Sequence, residues 1–121
     1  MRERERGIYD WAYRAGQEII ERLEALFGED GAGKRMENAL LVLRSELIPE
    51  RFRRAIIDLL IETRSSTEIP DVVKVEKRWT TDEFYRYSTA ILAGFFDALN
   101  RWRAGKKREG EEEKGEEGAR R

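Results

Sequence analysis

Gly28-Glu29-Asp30-Gly31-Ala32-Gly33-Lys34-Arg35 decides how many helices this chain has. Upstream of it, Ile8, Ala12, Ala15, Ile19, Leu23 and Leu26 recur three or four residues apart, which places them on one stripe of a helix A over about residues 5 to 27. Downstream, Met36, Ala39 or Leu40, Leu43 and Leu47 form a second stripe, helix B. The three glycines with Asp30 among them read as a flexible connection that separates the two. A phosphate-binding loop is excluded here, because no Ser or Thr follows Lys34 and no strand precedes the glycines.

Farther along, Pro49 suits the first turn of a helix and not an interior, so a helix C is expected from Pro49 to about Arg64, with Phe52, Ile56, Leu59 and Leu60 on its apolar side. From Ser65 to Trp79 the helical period disappears. Val72, Val73 and Val75 among charged neighbours predict a short extended or irregular insert. Thr80-Thr81-Asp82-Glu83 then fits a capping box, in which the hydroxyl at the first position and the carboxylate at the fourth each accept from the other's backbone N–H. It opens a helix D whose stripe is Phe84, Ser88, Ile91, Phe95, Ala98 or Leu99 and Trp102, with Gly105 as its expected stop. Residues 106–121 hold no large apolar side chain and cannot bury enough surface to offset their ordering entropy. The expectation is therefore all-α: a compact four-helix bundle over residues 1–105, an irregular insert before the last helix, and a disordered charged tail over 106–121.

With 121 residues the chain has room for one domain and one modest core. It contains no histidine and no cysteine, which removes Ser-His-Asp and Cys-His nucleophiles, zinc-finger and iron–sulfur sites and any disulfide framework. The chain is thus expected not to be an enzyme and to need no cofactor. The acidic run Glu109, Glu111, Glu112, Glu113, Glu116 and Glu117 reads as a solvated charge run, since a flexible tail does not preorganise hard-cation geometry; no metal is expected. No stretch approaches the ~20 apolar residues of a membrane span, and Met1-Arg2-Glu3-Arg4-Glu5-Arg6 lacks the apolar core of a signal peptide, so a cytoplasmic protein is expected. Eighteen arginines against six lysines, with two asparagines, one glutamine and no cysteine, point to a thermophile, although a GC-rich genome gives the same arginine bias.

The 24 basic and 25 acidic residues nearly cancel, yet they are unevenly placed. Residues 1–33 carry a sum of −3, residues 74–108 a sum of +5. Lys74, Lys77 and Arg78 lie on the insert, and Arg101, Lys106, Lys107 and Arg108 close helix D, where cations also suit the helix macrodipole. That accommodation fails for Arg51, Arg53 and Arg54, which sit at the unfavourable end of helix C and are better read as ligands of an external phosphate. These ten residues are the candidate nucleic-acid contacts. The large aromatic load reads first as core, but Tyr85, Leu92 and Phe96 lie off the main stripe of helix D and are the candidate protein interface.

The order of features resembles a known family. A helix ends in a short loop, Arg35-Met36-Glu37-Asn38-Ala39-Leu40 opens a second apolar helix, a valine-rich insert precedes Thr80-Thr81-Asp82, and the last helix closes on Ala98-Leu99-Asn100-Arg101 before a glycine and a charged tail. This is similar to the small subunit of archaeal type I-A CRISPR Cascade complexes, over about residues 19–117. The resemblance implies a non-catalytic helical subunit that packs with copies of itself and with other CRISPR effector subunits along an RNA-guided complex, lending basic surface to guide RNA or target nucleic acid. Small subunits of type III effectors are also helical and of similar size. A helical adaptor or homo-oligomer that never meets nucleic acid is the alternative from a different class.

Overall fold

A computed structural model describes the backbone of residues 2–74 and 76–119, with side chains through residue 110. Val75, Arg120, Arg121 and the side chains of the acidic run from Glu111 to Glu117 lie outside the described residues. The elements in chain order are α1 (Glu3–Ser45), α2 (Pro49–Glu62), a 3-10 turn (Asp71–Val73) and α3 (Thr81–Ala119), with no strand among the described residues.

The all-α class is as expected, but the chain forms three α-helices and not four. The predicted helices A and B are one helical element, α1, interrupted only at Gly28, whose φ of 77° and ψ of 176° belong to a region that only glycine adopts without strain. Gly31 and Gly33 are helical. One residue therefore does the work that the sequence assigned to a loop. The change of direction is sharp: Leu23 and Ala39, about 24 Å apart on a straight helix, line one shallow cavity together with Leu59 of α2.

Both parts of α1 feed the same core. Ile8, Trp11, Ala12, Ala15, Ile19, Ile20 and Leu23 are buried before the break, and Ala32, Met36, Leu40 and Leu43 after it. Most of the packing is between α1 and α3, and it is close because the facing residues are small. A Cβ on Gly94 would stand 2.7 Å from the Ala12 Cβ and 2.7 Å from the Tyr9 carbonyl, and one on Gly16 would stand 2.9 Å from the Ala98 Cβ. The buried side of α3 is Tyr87, Ala90, Ile91, Phe95, Ala98 and Leu99.

The ends of the elements follow local chemistry. At the start of α3 the Glu83 N–H donates to the Thr80 hydroxyl at 3.1 Å and the Thr80 N–H donates to the Glu83 carboxylate at 3.0 Å, the predicted capping box. At the end of α2 the Ser65 N–H reaches the Leu60 carbonyl and the Arg64 N–H the Ile61 carbonyl, a Schellman closure that holds Arg64 at a φ of 53°. The predicted extended arm is instead the 3-10 turn Asp71–Val73: Pro70 precedes it, its carbonyl accepts from the Val73 N–H, and Val73 is buried. Nor does α3 end at Gly105; that residue is not in the left-handed region that closes a helix, and α3 runs on to Ala119.

Candidate functional site

The first two turns of α2 carry two kinds of arginine. Phe52, Arg53, Ile56 and Leu60 recur on the inward side of the helix and all four are buried. Arg53 is 0% exposed. Its Nη1 donates to the Lys74 carbonyl at 3.0 Å and to the Lys77 carbonyl, and its guanidinium lies 4.7 Å from the Trp79 ring centre. Nε and Nη2 have no hydrogen-bond partner among the described residues. Burial holds this guanidinium below its ordinary pKa, opposed by Glu50 and Glu76. The expectation that Arg53 meets an external anion is therefore corrected: it is a clamp that draws the backbone of the insert onto α2. The sequence carried the signal, since Arg53 shares the period of Ile56 and Leu60.

The clamp completes an aromatic cluster. Phe52 meets Phe84 edge-on at 5.7 Å, Trp79 meets Tyr87 edge-on at 5.5 Å, and the Trp79 Nε1 donates to the Val72 carbonyl at 2.7 Å. A second anchor secures the first part of the insert. The Glu18 carboxylate on α1 accepts from the Ser66 N–H at 2.6 Å, the Ser66 hydroxyl at 2.9 Å and the Thr67 hydroxyl at 2.5 Å, and these donors pull its pKa down to about 2. The Trp11 Nε1 adds a bond of 2.7 Å to the Glu68 carbonyl. Nothing local in the sequence marks the contacts of Glu18 with the insert or of Trp79 with Arg53, since they join positions far apart in the chain.

The remaining basic candidates fall into two groups. Arg51, Arg54, Lys77 and Arg78 are exposed and have no ion-pair partner among the described residues, and the Arg53 clamp brings the two pairs to the same end of the molecule. Lys74 there pairs with Asp71 at 2.9 Å. The second group lies about 30–40 Å along α3 from its start. In it Arg101 donates to the Tyr13 hydroxyl at 3.1 Å, while Lys106 pairs with Glu24 at 2.6 Å and raises its own pKa in doing so. Lys107 and Arg108 are exposed. The ten candidates thus do not form one surface.

The expected protein interface is also redistributed. Leu92 and Phe96 pack against the core and are half-buried, because close packing against α1 extends round α3 to them; Tyr85 alone is well exposed. The larger apolar surface is elsewhere. Leu26, Phe27, Leu41, Val42, Leu47, Ile48 and Ile61 are exposed, and all seven lie on α2, in the loop that enters it, or on the parts of α1 that flank it. Val42, Ala39, Ala55, Leu59 and Glu62 line one trough of about 310 Å³, and Leu26, Phe27 and Leu59 line its neighbour of about 310 Å³. Among the described residues no group of three or more side chains is placed to hold a metal ion, and no helix is long and apolar enough to cross a membrane. No family model, no curated protein and no solved structure matches this chain.

Proposed function

We propose that this chain is a non-catalytic helical subunit that works by docking to other macromolecules through the side of the molecule built on α2. The observation that carries this reading is the gathering of seven exposed large apolar side chains on and beside one short helix, from Ile48 at 42% to Leu47 at 79% exposed. Scattered exposed leucines are ordinary on a protein surface, but a concentration of them on one short helix and the segments beside it marks an interaction face. The test is a chain with Leu47→Ser, Ile48→Ser and Ile61→Ser. It keeps its helical circular dichroism and loses the association that light scattering detects for the unaltered chain; an unaltered chain that remains monomeric and binds nothing contradicts the reading.

A second reading places the same subunit in an RNA-guided CRISPR interference complex, the context implied by the resemblance to type I-A small subunits. It is favoured by the four exposed cations Arg51, Arg54, Lys77 and Arg78. Binding of single-stranded RNA in this reading is weak and declines with salt, because few phosphates are neutralised. Recovery of guide RNA with the tagged chain from its native cell tests it directly.

A further inference from the structure

The outward side of α2 carries Arg51 and Arg54 in its first half and Asp58 and Glu62 in its second, all four exposed. None has an ion-pair partner among the described residues, although Arg54 and Asp58 stand four positions apart. In an isolated molecule this order is the wrong way round: cations crowd the partially positive start of the helix and carboxylates the partially negative end. No cation stands in the last turn. A second helix of the same sequence laid antiparallel reverses the disadvantage, since it brings each helix start beside the other's end.

We propose that this face binds a second copy of the chain, with α2 pairing antiparallel to the partner's α2 about a two-fold axis near residue 56. The proposal rests on the docking reading above and names its partner. On such an axis Arg54 stands across from the partner's Asp58 and Arg51 across from the partner's Glu62, and the symmetry makes each pair twice. At 1.5 Å rise per residue, Leu47 and Ile48 fall within about one turn of the partner's Ile61, so that three of the exposed apolar side chains cover one another at each end. A phosphate backbone fits this face less well, because the two carboxylates beside the two arginines repel it. An unrelated acidic or basic protein matches only half of it. Two copies match the whole.

The experiment uses four full-length chains: the unaltered one, Arg51→Glu/Arg54→Glu, Asp58→Arg/Glu62→Arg, and the chain with all four changes. Sedimentation equilibrium measures self-association, with circular dichroism as the check on folding. The unaltered chain associates. Each half-reversed chain, now of one sign along the face, associates at least about tenfold more weakly, and an equimolar mixture of the two regains the affinity, as does the chain with all four changes. Self-association that neither half-reversal alters overturns the α2 pairing while leaving docking through the apolar surface intact. An unaltered chain that stays monomeric overturns the second copy as partner, and if the Leu47, Ile48 and Ile61 test also fails, docking falls with it.

Discussion

The inward and outward sides of α2 use the same residue type for opposite purposes. Arg53 is fully buried and spends its hydrogen bonds on the carbonyls of Lys74 and Lys77, whereas Arg51 and Arg54, two residues before and one after it, stand in solvent without an ion-pair partner among the described residues. The difference is one of helical phase alone. Arg53 falls in step with Phe52, Ile56 and Leu60; its neighbours fall on the far side. A charge's role on a helix is therefore set by the apolar residues that share its stripe before it is set by its distance from the helix ends.

The largest effect expected from this comparison is at Arg53. Replacing it with Met fills part of the volume but leaves two carbonyls of the insert without their donor and removes the cation from the Trp79 face. A loss of about 2–4 kcal/mol is expected, read as a fall of the melting temperature of roughly 10 °C or more. An unchanged melt would break the distinction between the two sides. Next is the other anchor of the insert. Glu18→Gln keeps the shape and removes the charge that three donors share, costing about 1 kcal/mol at neutral pH. The pH dependence has a definite sign. The folded pKa of about 2 lies below the ordinary 4.5, so the contribution is present above pH 4.5 and is lost as the pH falls towards 2. Acid titration of the melt should thus have a shallower limb in Glu18→Gln than in the unaltered chain. The smallest effect belongs to the outward side: Arg51→Glu/Arg54→Glu, measured at a concentration where the chain is monomeric, shifts stability by no more than about 0.5 kcal/mol, and by the macrodipole the shift is towards greater stability.

Much of the fold was legible because periodicity reports burial. Of the first stripe, Ile8, Ala12, Ala15, Ile19 and Leu23 are core residues, and the capping box forms with both of its hydrogen bonds. Leu26 was misplaced: it is 65% exposed, since the chain turns at Gly28 before that side of the helix meets another. Glycine was the less informative letter. Gly28 breaks the helix and Gly31, Gly33 and Gly105 do not, and the difference depends on the direction the chain must take for Met36 and Leu40 to reach the core, which no local reading supplies. The expected stripe of α3 is buried at Ile91, Phe95, Ala98 and Leu99, with Phe84 and Trp102 packed against the core; it departs at Ser88, which is half-buried while Tyr87 beside it is buried.

The candidate site was less legible for a related reason. Counting charges found the basic residues but not their partners: Glu24 for Lys106, Tyr13 for Arg101, and the insert backbone for Arg53 join positions distant in the chain. What the sequence did hold was the phase of Arg53 on its helix. The same phase argument would have put Asp58 and Glu62 beside Arg51 and Arg54 and shown the face to be of mixed sign.

The contrast between the two sides of α2 is tested most directly without any substitution, by proton exchange at the arginine Nε–H groups observed with nitrogen-15 magnetic resonance at neutral pH. Arg53 should give a slowly exchanging Nε–H whose resonance is displaced by the Trp79 ring, while those of Arg51 and Arg54 exchange at the rate of free arginine. An Arg53 signal that exchanges as fast as its two neighbours would contradict the account.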